Sequence, residues 1–183
     1  MTFNPDPKPV KREKVIITSS EFRKKYGQSV IKSNKPAKKL MKKRLYNYPV
    51  WTWFSRFIKV LHANNEGLVK CATSGALFHV SSPNLHAGHC IKVYDGNNTN
   101  LSVALDYRNV LPQSSKDNVY SGGKPEIMRD KINQIFGEGT YSELVRLSKQ
   151  PKYYSEGDYK AKAVLFRERT YKLLQDKGIR KWW

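Results

Sequence analysis

Apolar residues first fall into a readable pattern near the middle of the chain. Trp51, Phe54, Phe57, Ile58 and Leu61 recur every three or four residues, the mark of one buried helix face, so this segment is expected to be an amphipathic helix packed on the core. From Gly67 to Val80 the pattern turns to alternation: Leu68, Lys70 and Ala72 lead into Thr73-Ser74-Gly75, and Leu77 follows. That predicts a short β-hairpin with a polar tip. Ser81-Ser82-Pro83-Asn84 reads as a loop. Pro125 suits the first position of a helix whose apolar face would carry Ile127, Met128, Ile132, Ile135 and Phe136 and which would stop at Gly137. Thr140-Tyr-Ser-Glu143 has the spacing of a capping box and predicts a short helix through Leu147. Ser155 to Lys177 is helix-forming and heavily charged, with Gly178 as its stop.

The first part of the chain is different. Met1 to about Lys35 is rich in Lys, Pro and Ser, a composition that buries too little surface to offset its ordering entropy, and a flexible basic arm is expected. Lys38, Lys39, Lys42, Lys43 and Arg44 continue the charge. On a helix they would form a solvated face or a surface that tracks phosphates, and the total charge favours the second. The expected layout is a basic arm over residues 1–50, a core over 51–150, and a basic C-terminal helix and tail over 151–183.

Composition narrows the partners. The chain has 183 residues, enough for one domain with a real core. Lys and Arg number 34 against 15 Asp and Glu, a formal charge of +19, which a compact protein tolerates more easily beside a polyanion than alone in water. DNA or RNA is therefore the expected partner. No apolar run of about twenty residues and no signal-peptide pattern is seen, so the expectation is a soluble intracellular protein without a membrane partner. Cys71 and Cys90 are too few for a disulfide framework and are expected to be free thiols in a reducing compartment.

Candidate chemistry gathers in His86-Ala-Gly-His89, Arg108-Asn109-Val110 and Asn118. His, then Asn, then Asn is the order of an HNH nuclease, in which one His activates water, a middle Asn fixes the loop and orients that His, and the last residue helps hold a divalent metal beside the scissile phosphate. As spacing alone this is a weak signal, since His and Asn are ordinary loop residues that serve turns. Asp106 could add a carboxylate to a metal, His86 an imidazole, and Asp95 is a weaker candidate. Ser121-Gly-Gly-Lys124 is too short for a P-loop but could set backbone amides and an ammonium on a phosphate.

The segment from Trp51 to Gln150 resembles the phage NinG/Rap recombination endonucleases. Phe54-Ser-Arg-Phe-Ile58, Gly67-Leu68, Cys71-Ala-Thr-Ser-Gly75, Ala87-Gly-His89, Asn109-Val110, Gln113, Asn118 and Ser121-Gly122 stand in that family's order. The resemblance implies an α+β fold, with a small HNH-like ββα-metal core flanked by helices and by basic N- and C-terminal extensions. It also implies a phage-encoded, metal-dependent endonuclease that acts on branched recombination intermediates in the cytoplasm of a bacterial host, using magnesium or manganese. His89 would be the general base, Asn109 the positioning residue and Asn118 a metal ligand, with His86 and Asp106 as further metal candidates. Lys38, Lys39, Lys42, Lys43, Arg44, Arg108, Lys116 and Lys124 are the expected contacts to nucleic acid, and a homodimer cutting two strands is left open.

The sequence also departs from that family. Its members clamp a structural zinc with two Cys-x-x-Cys pairs, whereas the pairs here read Cys71-x-x-Ser74 and Ser114-x-x-Asp117, so no structural zinc is expected. An altered site from Cys71, Asp117, His79 and His86 is disfavoured because serine is a poor zinc ligand. Ordinary packing and hydrogen bonds must then hold the hairpin to the helix. Gly88 stands where many HNH enzymes place an acidic residue. These losses favour one rival, a binder that keeps the fold without the chemistry. A second rival is a basic scaffold on RNA or a large assembly, with Trp182-Trp183 stacking on bases rather than packing on the preceding helix.

Overall fold

The computed structural model describes residues 45–95 and 98–183. Residues 1–44 of the expected basic arm, with Lys38, Lys39, Lys42, Lys43 and Arg44, lie outside the described residues, and Leu45 and Val50 at its end are buried in the core.

After a 3-10 turn at Leu45–Asn47, helix α1 (Pro49–Leu61) starts on Pro49, whose fixed φ suits a first helical position. It buries Val50, Phe54, Phe57, Ile58 and Val60; Phe54, Phe57 and Ile58 are the expected face, while Trp51 and Leu61 are only partly buried. Strands β1 (Leu68–Lys70) and β2 (Leu77–His79) form the expected antiparallel hairpin. Strand β3 (Leu85–His89) pairs antiparallel with β6 (Val110–Ser114), in register from Leu85 opposite Ser114 to His89 opposite Val110. Between them lie a two-residue ladder of β4 (Tyr94–Asp95) and β5 (Asn98–Thr99), a one-turn helix α2 (Leu101–Ala104) and a 3-10 turn at Tyr107–Asn109. A π turn at Lys116–Tyr120 leads to helices α3 (Pro125–Phe136), α4 (Thr140–Ser148) and α5 (Glu156–Lys177). The fold class is α+β, helices around small antiparallel ladders.

The core has three parts. α1 and α5 meet through Phe54, Phe57 and Phe166, with ring centroids 4.8 and 5.6 Å from Phe166. Ala87, Val93 and Val110 close that cluster from the β3–β6 side. Val60, Val69, Val80, Leu85 and Leu174 form the second cluster, and Cys90, Val103, Leu111, Met128, Ile132 and Leu144 the third, which seats α3 and α4 on β6. α5 therefore packs into the core. Tyr159, Phe166, Thr170 and Leu174 of α5 are buried. The Lys177 ammonium also donates to the carbonyls of Val60, Leu61 and Ala63 at 2.9, 2.9 and 2.6 Å, satisfying the C-terminal end of α1.

Other expectations need correction. Ile127 and Ile135 of α3 are exposed, and the buried face is Met128 and Ile132. Thr140 does not cap α4: its N-cap is Gly139, and the Thr140 hydroxyl donates back to the carbonyls of Phe136 and Gly137. A capping box stands at α5 instead, between Ser155 and Asp158. Trp182 and Trp183 pack on the second cluster, with the Trp183 ring 5.7 Å from Trp53 and the Arg56 guanidinium 4.3 Å above it. No helix among the described residues is long and apolar enough to cross a membrane.

Candidate active-site cleft

A cleft of about 610 Å³ runs along β3, walled on one side by α1 and on the other by the turns after β6. β3 contributes His86, Ala87 and His89, and α1 contributes Trp51, Ser55 and Lys59. Those three sit four residues apart, one stripe on the helix. Lys92, Tyr94, Asn118, Gly122 and Gly123 complete the wall. Among the described residues no Asp or Glu lines the cleft, and Lys59 and Lys92 enter no ion pair. The lining is thus cationic and neutral, a surface that attracts anions.

His89 lies flat on Trp51, centroids 5.0 Å apart at 18°. Its Nε2 is 2.8 Å from the Ala104 carbonyl. A carbonyl only accepts, so Nε2 carries the proton and Nδ1 keeps the lone pair. Burial pushes the pKa of His89 down to about 4, against a smaller rise from the Ala104 carbonyl. At neutral pH the ring is an unprotonated base.

Asn109 is fully buried. Its side-chain oxygen accepts from the Ile91 amide at 2.8 Å, and its side-chain nitrogen donates to the carbonyls of Ile91 and Val103, both at 3.1 Å. It thereby joins the chain just after His89 to the chain just before Ala104, the two segments that fix the imidazole. Asn118 donates to Nδ1 of His86 at 3.3 Å. His86, His89 and Asn118 are thus brought together in one cleft.

Asp106 is not among its lining residues. It caps the turn after it through the Arg108 amide at 2.9 Å and is bound by the Arg108 guanidinium, which also reaches Glu143 at 2.9 Å. Asp106 and Arg108 line a separate hollow with Tyr107 and Tyr154. Asp95 does not line the cleft either. Lys124 turns inward, its ammonium 2.7 Å from the buried carboxylate of Asp117. Lys116 is exposed at the base of the π turn.

Gln113, singled out in the sequence only for its place in the family's order and given no role there, lies fully buried across the ladder from His86. Its side-chain nitrogen donates to the Gly123 carbonyl at 2.8 Å, while its Oε1 has no hydrogen-bond partner among the described residues. A Cβ on Gly88 would stand 1.9 Å from that oxygen and 2.9 Å from Oδ1 of Asn118. The side chain of Gln113 therefore fills the space that a residue at position 88 would need. Sequence reasoning missed Trp51, read as core, and Lys59; the four-residue stripe that carries them points to a site only once β3 is known to face it.

Cys71, Thr73, Ser114 and Asp117 converge beneath the π turn. The Cys71 sulfur accepts from the amides of Ser74 and Ser114 at 3.4 and 3.2 Å, and the Thr73 hydroxyl donates to Asp117 at 2.7 Å. Burial raises the thiol pKa, but side-chain and backbone donors from Ser74, Thr73 and Ser114 outweigh it and bring it down to about 7. Hydrogen bonds from Lys124 and Thr73 hold the Asp117 carboxyl below the usual range. His79 is occupied elsewhere, its Nδ1 2.7 Å from the Ser81 hydroxyl. No group of three or more His, Cys, Asp or Glu among the described residues is arranged to enclose a metal.

Comparison of the chain with protein-family models, with curated proteins and with solved structures gives no match.

Proposed function

We propose that the cleft binds and cleaves a phosphodiester, and that the protein is a metal-dependent endonuclease acting on branched DNA. The observation that carries the proposal is His89, an imidazole whose Nε2 is tied to a carbonyl so that Nδ1 keeps the lone pair, in a cleft lined by two lysines and, among the described residues, by no carboxylate. Lys59 and Lys92 would draw the phosphate in, and His89 would take the proton of the attacking water. Asn109 is a positioning residue that keeps His89 and its carbonyl partner in place. The order of the β3–β6 ladder and α3 supports the NinG/Rap resemblance, as does the meeting of Cys71, Ser114 and Asp117 in one cluster.

Donors beside the base are His86, Asn118 and, behind them, the unpartnered oxygen of Gln113. An imidazole and amide oxygens without a carboxylate suit magnesium or manganese only where substrate phosphate supplies further oxygens. Such an ion would neutralise charge developing on the phosphate and the leaving oxygen. Asp106 is left out of this set because Arg108 occupies it.

The lack of a carboxylate among the described lining residues favours a second reading, a nucleic-acid binder that keeps the fold without cleavage. Incubating labelled branched DNA with magnesium or manganese, with a chelator control and the His89→Ala variant, separates the two. Metal-dependent nicking lost in His89→Ala supports the nuclease; tight binding without nicking in any metal leaves the binder.

A further inference from the structure

Tyr120 stands in the chain between the cleft-lining Asn118 and Gly122, and its exposed ring has no packing or hydrogen-bond partner among the described residues. The π turn at Lys116–Tyr120 faces two ways. Asn118 lines the cleft, while Val119 and Tyr120 are 58% and 83% exposed. The turn is anchored from below: Asp117 is gripped by Lys124 and Thr73, its own amide donates to the Ser114 hydroxyl at 3.1 Å, and the amides of Ser121 and Gly123 donate back to Lys116 and Asp117 at 3.1 and 2.9 Å. Gly122, Gly123 and Lys124 follow with successive positive φ of 66°, 82° and 46°, which returns the chain along the cleft wall. A large apolar side chain held on an anchored turn loses little freedom when a partner covers it. Its neighbours point to what that partner is. The cleft lined by the same turn carries Lys59 and Lys92, and Lys116 stands exposed at the base of the turn.

We infer that Tyr120 is a stacking platform for an unpaired base next to the phosphate held in the cleft, with Val119 packing beside it, so that the turn selects branched or single-stranded DNA over continuous duplex. A base inside a duplex is already stacked on both faces and offers the ring nothing, whereas a base at a branch point gains a neighbour. This rests on the cleft being a nucleic-acid site, but not on its chemistry.

The test is binding of a labelled junction with unpaired bases at its branch point, and of a duplex of equal length, in chelator, by wild type, Tyr120→Ala and Tyr120→Phe. Tyr120→Ala is expected to lose about 5- to 100-fold in affinity for the junction while duplex affinity is unchanged, and Tyr120→Phe to behave as wild type. Equal thermal unfolding of the three proteins excludes a folding defect. The inference is overturned if wild type shows no preference for the junction, or if Tyr120→Ala binds both DNAs as wild type does or weakens equally on both. Because no cleavage occurs in chelator, a Tyr120-dependent preference in a protein that never nicks DNA would retain the stacking site and remove the nuclease.

Discussion

At the scale of single residues, the site depends on what Gly88 leaves out. A methyl group there would meet Gln113 Oε1 at 1.9 Å, so Gly88→Ala must displace Gln113 and break its bond to Gly123. The expected cost is about 1–3 kcal/mol of stability. Gln113→Ala opens that space, and the double variant should be less destabilised than the sum of the singles. Additive costs in urea unfolding would show that the two side chains do not compete. His89 makes its own prediction. With its pKa pushed down to about 4, it stays unprotonated through the range where an ordinary histidine gains a proton, so the rate of nicking should not fall between pH 7.5 and 6 on its account. An acid limb centred near the ordinary histidine value of about 6.5, absent in His89→Gln, would contradict the burial and the Ala104 contact. Asn109 was picked out from its order after His89, and in the structure its side chain makes three hydrogen bonds within the loop. Asp106 was equally plausible on paper. Nothing in the sequence tells that Arg108, two residues on, folds back on it.

At the scale of elements, the cluster beneath the π turn takes the place of a cross-link between the β1–β2 hairpin and the start of α3. Lys124 is its cation. Lys124→Met would strand the carboxylate of Asp117, whose side chain is 5% exposed, without its charged partner. With Lys124 itself 34% exposed, the cost is discounted from a fully buried pair to about 2 kcal/mol. Asp117→Asn combined with Lys124→Met should recover part of that loss. Thermal unfolding of the variants decides it, and an unchanged midpoint in Lys124→Met would show the pair to be idle. Of the elements that were legible, α1 and α3 show apolar periodicity and the β1–β2 hairpin alternation, whereas α5 was read from its charged, helix-forming composition between Ser155 and Gly178. The β3–β6 ladder was not legible. β6 is buried along its whole length, which erases alternation, and its Pro112 ordinarily argues against a strand interior. The neighbouring hairpin makes use of that position, since the Ala72 amide donates to the Pro112 carbonyl at 2.8 Å. Thr140 misled for a different reason: its spacing to Glu143 is right, but Glu143 binds Arg108 and the cap falls one residue earlier.

At the scale of the molecule, α5 decides how large the folding unit is. Its charge suggested an appendage, yet its aromatic face completes the core, because charged residues on a long helix fill the solvent side without weakening the buried stripe. Two partly buried histidines also give the whole molecule an acid limit. His62, lowered to about 4 by burial and then by Lys177, and His89, lowered by burial, stay neutral when folded but take protons near pH 6.5 when unfolded. Both folded values are depressed, so this contribution to stability is complete above about pH 6.5 and is lost as the pH falls toward 4. Urea unfolding at pH 5 should give a stability lower by about 4 kcal/mol than at pH 7.5, about 2 from each ring, and a flat profile would mean that both rings are reached by solvent.

The central claim is that His89 acts as a base on a phosphodiester held in the cleft. It is tested most directly by measuring, on one labelled branched DNA, both the affinity in chelator and the single-turnover nicking rate with magnesium or manganese, for wild type and His89→Ala. The account predicts unchanged affinity with nicking reduced about 10²- to 10⁴-fold. Nicking at the wild-type rate in His89→Ala, or no nicking by wild type in either metal, would contradict it.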